Sequence, residues 1–299
     1  MSEDSTSQDS YSIAEAFELF VLDMQARRLS ELTIKFYRAK LKAFFAHCEA
    51  NQIDMVGNVN ATLIKKYQVT LHHYSPHYQH GIARAIRAFL KYCESDELID
   101  SCPKFSMPKL PKHVPIIFTN DEVKQVLNGC KSYRDHAICL MLLDTGVRTA
   151  ELIALNYEDI NLKDGSVNVL NGKGGKDRVV YMGAKTRKQL KLYMMREKHS
   201  QKRGDPLFIT LKGNRFKIQI FMNLMQRIKK RAGVESCRAH TFRRTFAVNC
   251  LRNEMNIYVL AKLMGHEDIT VLKSYLDFVA DDLEAAHERA GPVDHMTIK

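Results

Sequence analysis

Residues 160–182 read INLKDGSVNVLNGKGGKDRVVYM, and this stretch decides the fold class. It contains three short runs rich in β-branched and aliphatic residues, INL, SVNVL and RVVYM. Asp164-Gly165 separates the first run from the second, and the glycine-rich segment 172–175 separates the second from the third. Both separators are strong turn formers, so neighbouring runs can pair through tight turns. The stretch therefore predicts a small antiparallel β-meander.

The sequence on either side of this meander is patterned for helices. Apolar residues recur at helical spacing in residues 12–28 and again in residues 29–49. A further helix is expected to begin at Ser75-Pro76, because serine is a good N-cap and proline a good first helical residue. The sequence thus predicts a mainly α-helical protein with one small antiparallel β-meander in its second half.

A proline-rich connector divides the chain. Residues 100–115 read DSCPKFSMPKLPKHVP and hold four prolines, which interrupt helix and sheet alike. At 299 residues the chain is long enough for two domains with separate cores. We therefore expect a disordered tail at 1–11, a helical domain at 12–99, a linker at 100–116 and a second domain at 117–299.

The net charge of +11 suggests a polyanionic partner, because clustered Lys and Arg displace counterions from a phosphate backbone. Two of the expected helices carry basic stripes, which are candidate DNA-binding surfaces. Their members are Lys35, Arg38 and Lys42 on one helix, and Arg84, Arg87 and Lys91 on the other. A basic face that only contacts solvent is the alternative interpretation of each stripe.

The cysteines and the N-terminus indicate where the protein works. The seven cysteines are scattered and never spaced as CxxC, which argues against a disulfide framework and against a zinc site. The N-terminus MSEDSTSQDS is polar and acidic, unlike a signal peptide. The longest apolar run, residues 137–143, is too short to span a membrane. These features predict a cytoplasmic protein with no membrane partner, no metal and no cofactor.

Two motifs near the meander carry candidate catalytic residues. In TGVRTAELIAL, residues 145–155, Arg148 follows an apolar helix, Thr149 is a candidate N-cap for the next helix, and Glu151 lies three residues after Arg148. An Arg and a Glu at this spacing are most often an exposed ion pair of small energetic value. Lys173 lies at the glycine-rich hairpin tip, which is not a P-loop because it lacks GK[ST] and joins two strands. Neither motif alone identifies a site.

Two further motifs follow. In HTFRRTFA, His240 and Arg243 are three residues apart on a helical pattern, so they point the same way. His266 follows a glycine in LMGH, and Tyr275 comes nine residues later. Nine residues are about two and a half helical turns, so these two side chains converge only if the chain bends between them. Asp268 or Thr270 could cap a new helix there.

Together and in this order, these residues resemble the tyrosine recombinase, or phage integrase, family. The stretches that carry the resemblance are TGVRTAELIAL, NGKGGKDR, HTFRRTFA and LMGH with Tyr275. The N-terminal stretch LTIKFYRAKLKAFF is similar to the core-binding domain of the family, so the resemblance covers roughly residues 12–290. It implies two domains that form a clamp around DNA, the second being the catalytic domain.

The resemblance also implies the role of each residue. Arg148 and Arg243 would hold the non-bridging phosphate oxygens, for which the planar guanidinium is suited. Tyr275 would be the nucleophile that forms a 3′-phosphotyrosyl bond, without metal or ATP. The other expected roles are proton acceptor for His240, hydrogen-bond donor to the phosphate for His266, general acid for Lys173, and orientation of the site for Glu151. Lys176, on the same hairpin, is the competing candidate for the general acid.

Two positions depart from the pattern of the family. Arg244 stands where the family usually has His, and Glu254 stands where many members have Gly. At the second position we expect the preceding Asn253 to supply the left-handed turn. The departures weakly favour a mobile-element integrase over a Xer-like resolvase, and leave the target DNA sequence, the direction of reaction and any accessory protein open.

Three functions remain compatible with these residues. The first is a recombinase that assembles as a homotetramer on two double-stranded DNA sites, is a monomer or weak oligomer when free, and works with a possible accessory DNA-binding protein at the bacterial nucleoid. The second is a type IB topoisomerase, which relaxes DNA as a monomer. The third is a DNA-binding protein without catalysis. The apolar residues Phe278, Val279 and Leu283 after Tyr275 favour the first, because they could dock on a neighbouring copy and a monomer has less use for such a segment. The alternative is that the segment folds back onto its own catalytic domain.

Overall fold

The computed structural model describes residues 11–111, 116–170, 177–197 and 202–265, with Leu272, Tyr275, Leu276, His287, Gly291, Val293 and Met296. The chain divides into two units, Met1–His113 and Val114–Lys299. The boundary between them falls within the proline-rich stretch at 100–116.

Besides one 3₁₀ turn at Val56–Asn58, the described residues of the first unit form four α-helices, whose starts are set by N-cap side chains. They are α1 (Ile13–Ala26), α2 (Glu31–Ala50), α3 (Ala61–Thr70) and α4 (Pro76–Ser95). Ser12, Ser30, Asn60 and Ser75 each accept a hydrogen bond from a backbone N–H of the first turn. The expected start of α4 at Ser75-Pro76 is confirmed.

An aromatic cluster forms the centre of this unit. The ring centroids of Phe17 and Phe45 lie 5.1 Å apart, those of Phe45 and Phe89 5.3 Å, and those of Phe20 and Phe89 5.7 Å. Apolar residues recur at helical spacing on three helices, so these rings lie on the apolar faces that pack into one core. Phe105 of the proline-rich stretch, 8% exposed, packs into the same core. Residues 102–111 contain neither helix nor strand.

The second unit contains seven described helices and one two-stranded sheet. The helices are α5 (Asn120–Asn128), α6 (Tyr133–Thr145), α7 (Thr149–Ala154), α8 (Ala184–Arg196), α9 (Ile218–Ala232), α10 (Ala239–Arg252) and α11 (Ile257–Met264). Its strands are β1 (Ser166–Val169) and β2 (Arg178–Tyr181), which pair antiparallel with Val167 opposite Val180. The expectation of a mainly α protein with a small antiparallel sheet is confirmed.

The first of the three β-type runs makes less structure than the other two. Ile160 forms only an isolated antiparallel bridge to Val167, so among the described residues the meander is a hairpin with one additional bridge. The run begins immediately after the short 3₁₀ turn Tyr157–Asp159, and Asn161 N–H then bonds to the carbonyl of Ser166 at 2.9 Å. The chain therefore turns after one bridge, before a full strand can form.

Two local expectations about chain turns were wrong. Arg148, with extended φ and ψ of −75° and 157°, is the N-cap of α7, and Thr149 is the first helical residue. At the end of α10, Asn253 keeps a φ of −91°, whereas Glu254 adopts the left-handed conformation with a φ of +63°. The departure at 254 is thus accommodated by a non-glycine residue in a conformation that favours glycine.

In the described parts of the chain, no helix is long and apolar enough to cross a bilayer. The same residues contain no group of three or more His, Cys, Asp or Glu side chains arranged to hold a metal ion. The possible helix caps Asp268 and Thr270 lie outside the described residues.

Candidate active site

A glycine elbow between α6 and α7 places Arg148. Gly146 has a φ of +60°, which reverses the chain at the end of α6. A Cβ at this position would collide with the ring of Phe246 on α10, so the elbow needs glycine for both its conformation and its close packing. Arg148 follows two residues later, at the start of α7.

Glu151 fixes Arg148 from one turn further along α7. The Arg148 backbone N–H donates to Glu151 Oε2 at 2.7 Å, and Arg148 Nη1 donates to Glu151 Oε1 at 2.8 Å. The Glu151 side chain is 6% exposed and that of Arg148 is 26% exposed. The pair is therefore not the exposed ion pair that the spacing most often indicates, because its carboxylate lies in the interior.

Arg178, at the start of β2, is a third member of this group and was not predicted from the sequence. Arg178 Nη1 and Nη2 donate to the two carboxylate oxygens of Glu151 at 2.9 and 2.8 Å, a bidentate pair with the Arg178 side chain 9% exposed. A sequence signal existed, because strand alternation places residue 178 on the same side as the buried Val180. A charged residue at an inward strand position needs a partner.

The Glu151 carboxylate accepts four N–H donors from these two arginines. Burial would raise its pKa, but the hydrogen bonds from Arg178 and Arg148 outweigh that effect and hold the pKa of Glu151 at about 2. Glu151 is therefore ionised at every pH at which the protein is expected to work.

Arg243 enters the same site from α10. It is 4% exposed, and its Nη1 donates to the carbonyl of Gly146 at 2.5 Å while its Nη2 donates to the carbonyl of Met264 at 2.6 Å. Burial and the neighbouring charge of Arg148 lower the pKa of Arg243 to about 10, so the guanidinium stays protonated near neutrality.

The three arginines meet at the carboxyl end of α11. Arg178 Nε donates to the carbonyl of Leu263 at 2.7 Å, Arg243 Nη2 to that of Met264 at 2.6 Å, and Arg148 Nη2 to that of Gly265 at 3.0 Å. The last carbonyls of a helix have no intrahelical partner and carry partial negative charge. The end of α11 therefore binds three guanidinium groups at three consecutive residues.

His240 lies in the first turn of α10, three residues before Arg243, and is exposed. Partial desolvation and the positive charges of Arg244, Arg243 and Arg148 lower the pKa of His240. The imidazole is therefore neutral near pH 7 and able to accept a proton. Arg244, which departs from the family pattern, lowers the pKa of His240 more than Arg243 or Arg148 does.

Tyr275 packs beside this group. It is 8% exposed and belongs to an apolar cluster that includes Phe246, Leu260, Met264 and Leu272. This cluster adjoins Arg243, because Phe246 lies three residues after Arg243 on α10 and the Met264 carbonyl accepts Arg243 Nη2 at 2.6 Å. The structure thus brings Arg148, Glu151, His240, Arg243 and Tyr275 together. Lys173 and His266 lie outside the described residues.

The basic residues expected to bind DNA do not form one surface on the first unit. The guanidinium carbon of Arg38 lies 5.6 Å from the ring centroid of Phe17 on α1, and Lys42 lines a cavity on that same side of α2. Lys35, exposed, lies seven residues before Lys42 and so on the same flank. These three residues share the α1 side of α2.

The α4 stripe lies elsewhere. The guanidinium carbon of Arg84 lies 5.3 Å from the ring centroid of Phe36, on the α4 side of α2, and Lys91 is exposed further along α4. Arg87 Nη2 donates to the carbonyl of Phe105 at 2.7 Å, which ties the proline-rich stretch to the unit. Lys40, which was not predicted to bind DNA, lies on the same flank of α2 as Phe36. Its Nζ is 3.6 Å from the ring centroid of Tyr78 on α4.

Comparison with known proteins gives concordant matches. The model of the phage integrase family matches residues 117–280. The tyrosine recombinase XerC of Pseudomonas syringae is 28% identical over 278 residues, covering 88% of this chain and 92% of the relative. The tyrosine recombinase XerA of Saccharolobus solfataricus is 31% identical over 206 residues, covering 69% of this chain and 65% of the relative.

Solved structures show the same fold. A lambda integrase (75–356) dimer bound to a COC′ core site superposes with a TM-score of 0.73 at 15% identity, covering 92% of this chain and 98% of that one. The XerH site-specific recombinase bound to palindromic difH substrate, in a post-cleavage complex, superposes with a TM-score of 0.69 at 19% identity, covering 93% and 85%.

Proposed function

Since the chain belongs to the phage integrase family and is a site-specific tyrosine recombinase, we propose that it cleaves and rejoins DNA through Tyr275 at the site described above. The observation that carries the proposal is the convergence of two buried or half-buried guanidinium groups, Arg148 and Arg243, next to Tyr275. Positive charge beside a tyrosine is what attack on a phosphodiester requires.

The two arginines supply charge where it develops. In the proposed step the Tyr275 oxygen attacks phosphorus, a phosphotyrosyl bond forms at the 3′ side, and the bond to the 5′ oxygen breaks. Negative charge grows on the non-bridging oxygens, which Arg148 and Arg243 bind. An arginine has five N–H donors, and each of these two makes only two side-chain hydrogen bonds to described residues. Donors therefore remain for a phosphate.

Two residues transfer protons in this proposal, and a third binds the phosphate. His240 accepts the proton of the Tyr275 hydroxyl, a role supported by its lowered pKa and by its place one helical turn before Arg243. Lys173 donates a proton to the departing 5′ oxygen, and His266 donates a hydrogen bond to the phosphate. The last two assignments rest on the order of motifs in the sequence.

The reaction needs no nucleotide energy source, because the phosphotyrosyl bond replaces the phosphodiester bond that is broken. A 5′ hydroxyl can then attack the phosphorus atom, which restores the phosphodiester and breaks the bond to Tyr275. The proton lost by the 5′ hydroxyl is balanced by the proton that the Tyr275 oxygen regains. The guanidinium groups supply the charge that a metal ion supplies in other phosphoryl-transfer enzymes, so we propose catalysis without a metal cofactor.

We further propose that both units contact double-stranded DNA and form a clamp around it. On the first unit, Lys40 and Arg84 on the shared side of α2 and α4 are the residues we favour for this contact. We propose that four copies assemble on two DNA sites at the bacterial nucleoid in the cytoplasm. Phe278, Val279 and Leu283, which lie outside the described residues, would dock on a neighbouring copy.

The assignment of the nucleophile is tested with Tyr275→Phe, which removes a single hydroxyl. Tyr258→Phe, at a tyrosine that is 68% exposed on α11, is the matched control. DNA nicked near the cleavage position traps the covalent adduct, which denaturing gels separate from free protein. We expect no adduct with Tyr275→Phe, unchanged DNA binding, and a normal adduct with the control. An undiminished adduct with Tyr275→Phe would refute the assignment.

A further inference from the structure

Arg178 lies in the active site, yet the proposed steps give it no contact with DNA. Its guanidinium makes three directed hydrogen bonds to protein, two to the Glu151 carboxylate and one from Nε to the carbonyl of Leu263. The residue thereby connects three elements, because it lies on β2, Glu151 on α7 and Leu263 on α11. Arg178 thus links the carboxylate that binds the Arg148 guanidinium to the helix end where Arg148 and Arg243 are bound.

The charges of this group show what Arg178 adds. Glu151 carries one negative charge and is shared by two guanidinium groups, because it accepts hydrogen bonds from Nη1 and Nη2 of Arg178 and from Nη1 of Arg148, besides one from the Arg148 backbone N–H. With Arg178 present, the three side chains sum to one positive charge. Without it, Arg148 and Glu151 would form a neutral buried pair, and Arg148 would attract a phosphate less strongly.

The packing around Arg178 leaves it little freedom. Its side chain is 9% exposed. A Cβ at residue 265 would lie 3.2 Å from Arg178 Nη1, so Gly265, with a φ of +62°, lets the guanidinium lie against the turn that ends α11. This close approach leaves the guanidinium little room to move away from its two hydrogen bonds with the Glu151 carboxylate.

We propose that Arg178 is a positioning residue for DNA cleavage, which holds Glu151 in a bidentate pair so that Arg148 keeps both its orientation and its net positive charge for the scissile phosphate. The inference rests on the proposed function, in which Arg148 binds that phosphate. The competing explanation is that Arg178 only stabilises the fold, as any buried arginine with a carboxylate partner does.

The test compares four variants with the unchanged protein, two at Arg178, one at Arg134 and one at Arg148. Arg178→Ala removes the charge and all three bonds, whereas Arg178→Lys keeps the charge but cannot reproduce the planar fork. Arg134→Ala is the matched control for stability, because Arg134 is a buried arginine of the same unit that lies outside the site. Its side chain is 8% exposed, and its Nη2 lies 2.9 Å from Asp135 Oδ1. Circular dichroism reports whether each variant is folded at the assay temperature.

Cleavage is measured in a single turnover on nicked DNA carrying either an ordinary phosphodiester or a methylphosphonate at the cleavage position. The methylphosphonate lacks the negative charge that Arg148 binds. We expect Arg178→Ala to cleave the phosphodiester on the order of 100-fold more slowly with little change in DNA affinity, because a small misplacement of a catalytic group costs about that much. We expect the defect to fall below about tenfold on the methylphosphonate, where less positive charge is needed.

Arg178→Lys should be intermediate, and Arg134→Ala should cleave at the unchanged rate wherever it is folded. An equal defect of Arg178→Ala on both substrates, or an equal defect in Arg134→Ala, would overturn the inference and leave a structural role. Arg148→Ala separates the two hypotheses. If Arg148→Ala cleaves normally, the proposed function fails, whereas an inactive Arg148→Ala with a fully active Arg178→Ala refutes only the role of Arg178.

Discussion

Replacement of Glu151 by Gln should destabilise the second unit in a pH-dependent way. The carboxylate is buried and its pKa falls from 4.5 to about 2 on folding. A depressed pKa of this kind contributes stability above the unfolded-state pKa, and that stability is lost as the pH falls through the folded-state pKa. A shift of about 2.5 pKa units corresponds to about 3 kcal/mol, of which about 1.4 kcal/mol is already lost at pH 3.5.

Glu151→Gln keeps the shape of the side chain but leaves Arg148 and Arg178 without their shared counter-charge. We therefore expect a loss of roughly 2–3 kcal/mol of unfolding free energy at pH 7, and a smaller loss at pH 3.5. Urea unfolding followed by circular dichroism measures both values, since the protein has no tryptophan. Glu235→Gln, at an exposed carboxylate in the same unit, is the control and should cost little. A loss that is the same at both pH values would refute the electrostatic explanation.

Three further expectations follow from the same geometry. Gly146→Ala should lower the unfolding free energy by about 2 kcal/mol or more, because the left-handed φ is strained for alanine and its Cβ meets Phe246; an unchanged urea midpoint would contradict this. Glu254→Gly should raise the unfolding free energy by about 0.5–1 kcal/mol, whereas Asn253→Gly, at a φ of −91°, should not. Equal effects at the two positions would contradict the placement of the left-handed residue at 254. Covalent adduct formation should proceed in excess EDTA; adduct that disappears on chelation and returns with magnesium would overturn the proposal of catalysis without a metal.

Helix positions could be predicted from the sequence because their determinants are local. Ser75 and Pro76 mark the start of α4, and apolar residues at steps of three and four mark the buried faces of α1 and α2. Turn formers at 164–165 separate two of the β-type runs in the same way. Each of these signals acts within a few residues along the chain, so it can be read without the tertiary structure.

Turn details were less predictable, because they depend on what packs next to the chain. Neither Asn253 nor Glu254 is a residue that requires a left-handed φ, and the structure places that conformation at Glu254. Similarly, the basic stripes of α2 and α4 are regular in the sequence. Only the helix packing shows that Arg38 faces Phe17 of α1, whereas Arg84 faces Phe36 of α2.

The family, the fold class and most of the candidate catalytic residues could be predicted from the sequence, because motif residues and their order are read directly along the chain. The partners of Arg178 became visible in the tertiary structure alone. Its carboxylate partner lies 27 residues away and its carbonyl partner lies 85 residues away, while Arg148 reaches across 117 residues to Gly265. Contacts over such separations are set by how the helices and the hairpin pack, and no local pattern records them. The physical reason is that a buried charge is held by partners in space, wherever they lie along the chain.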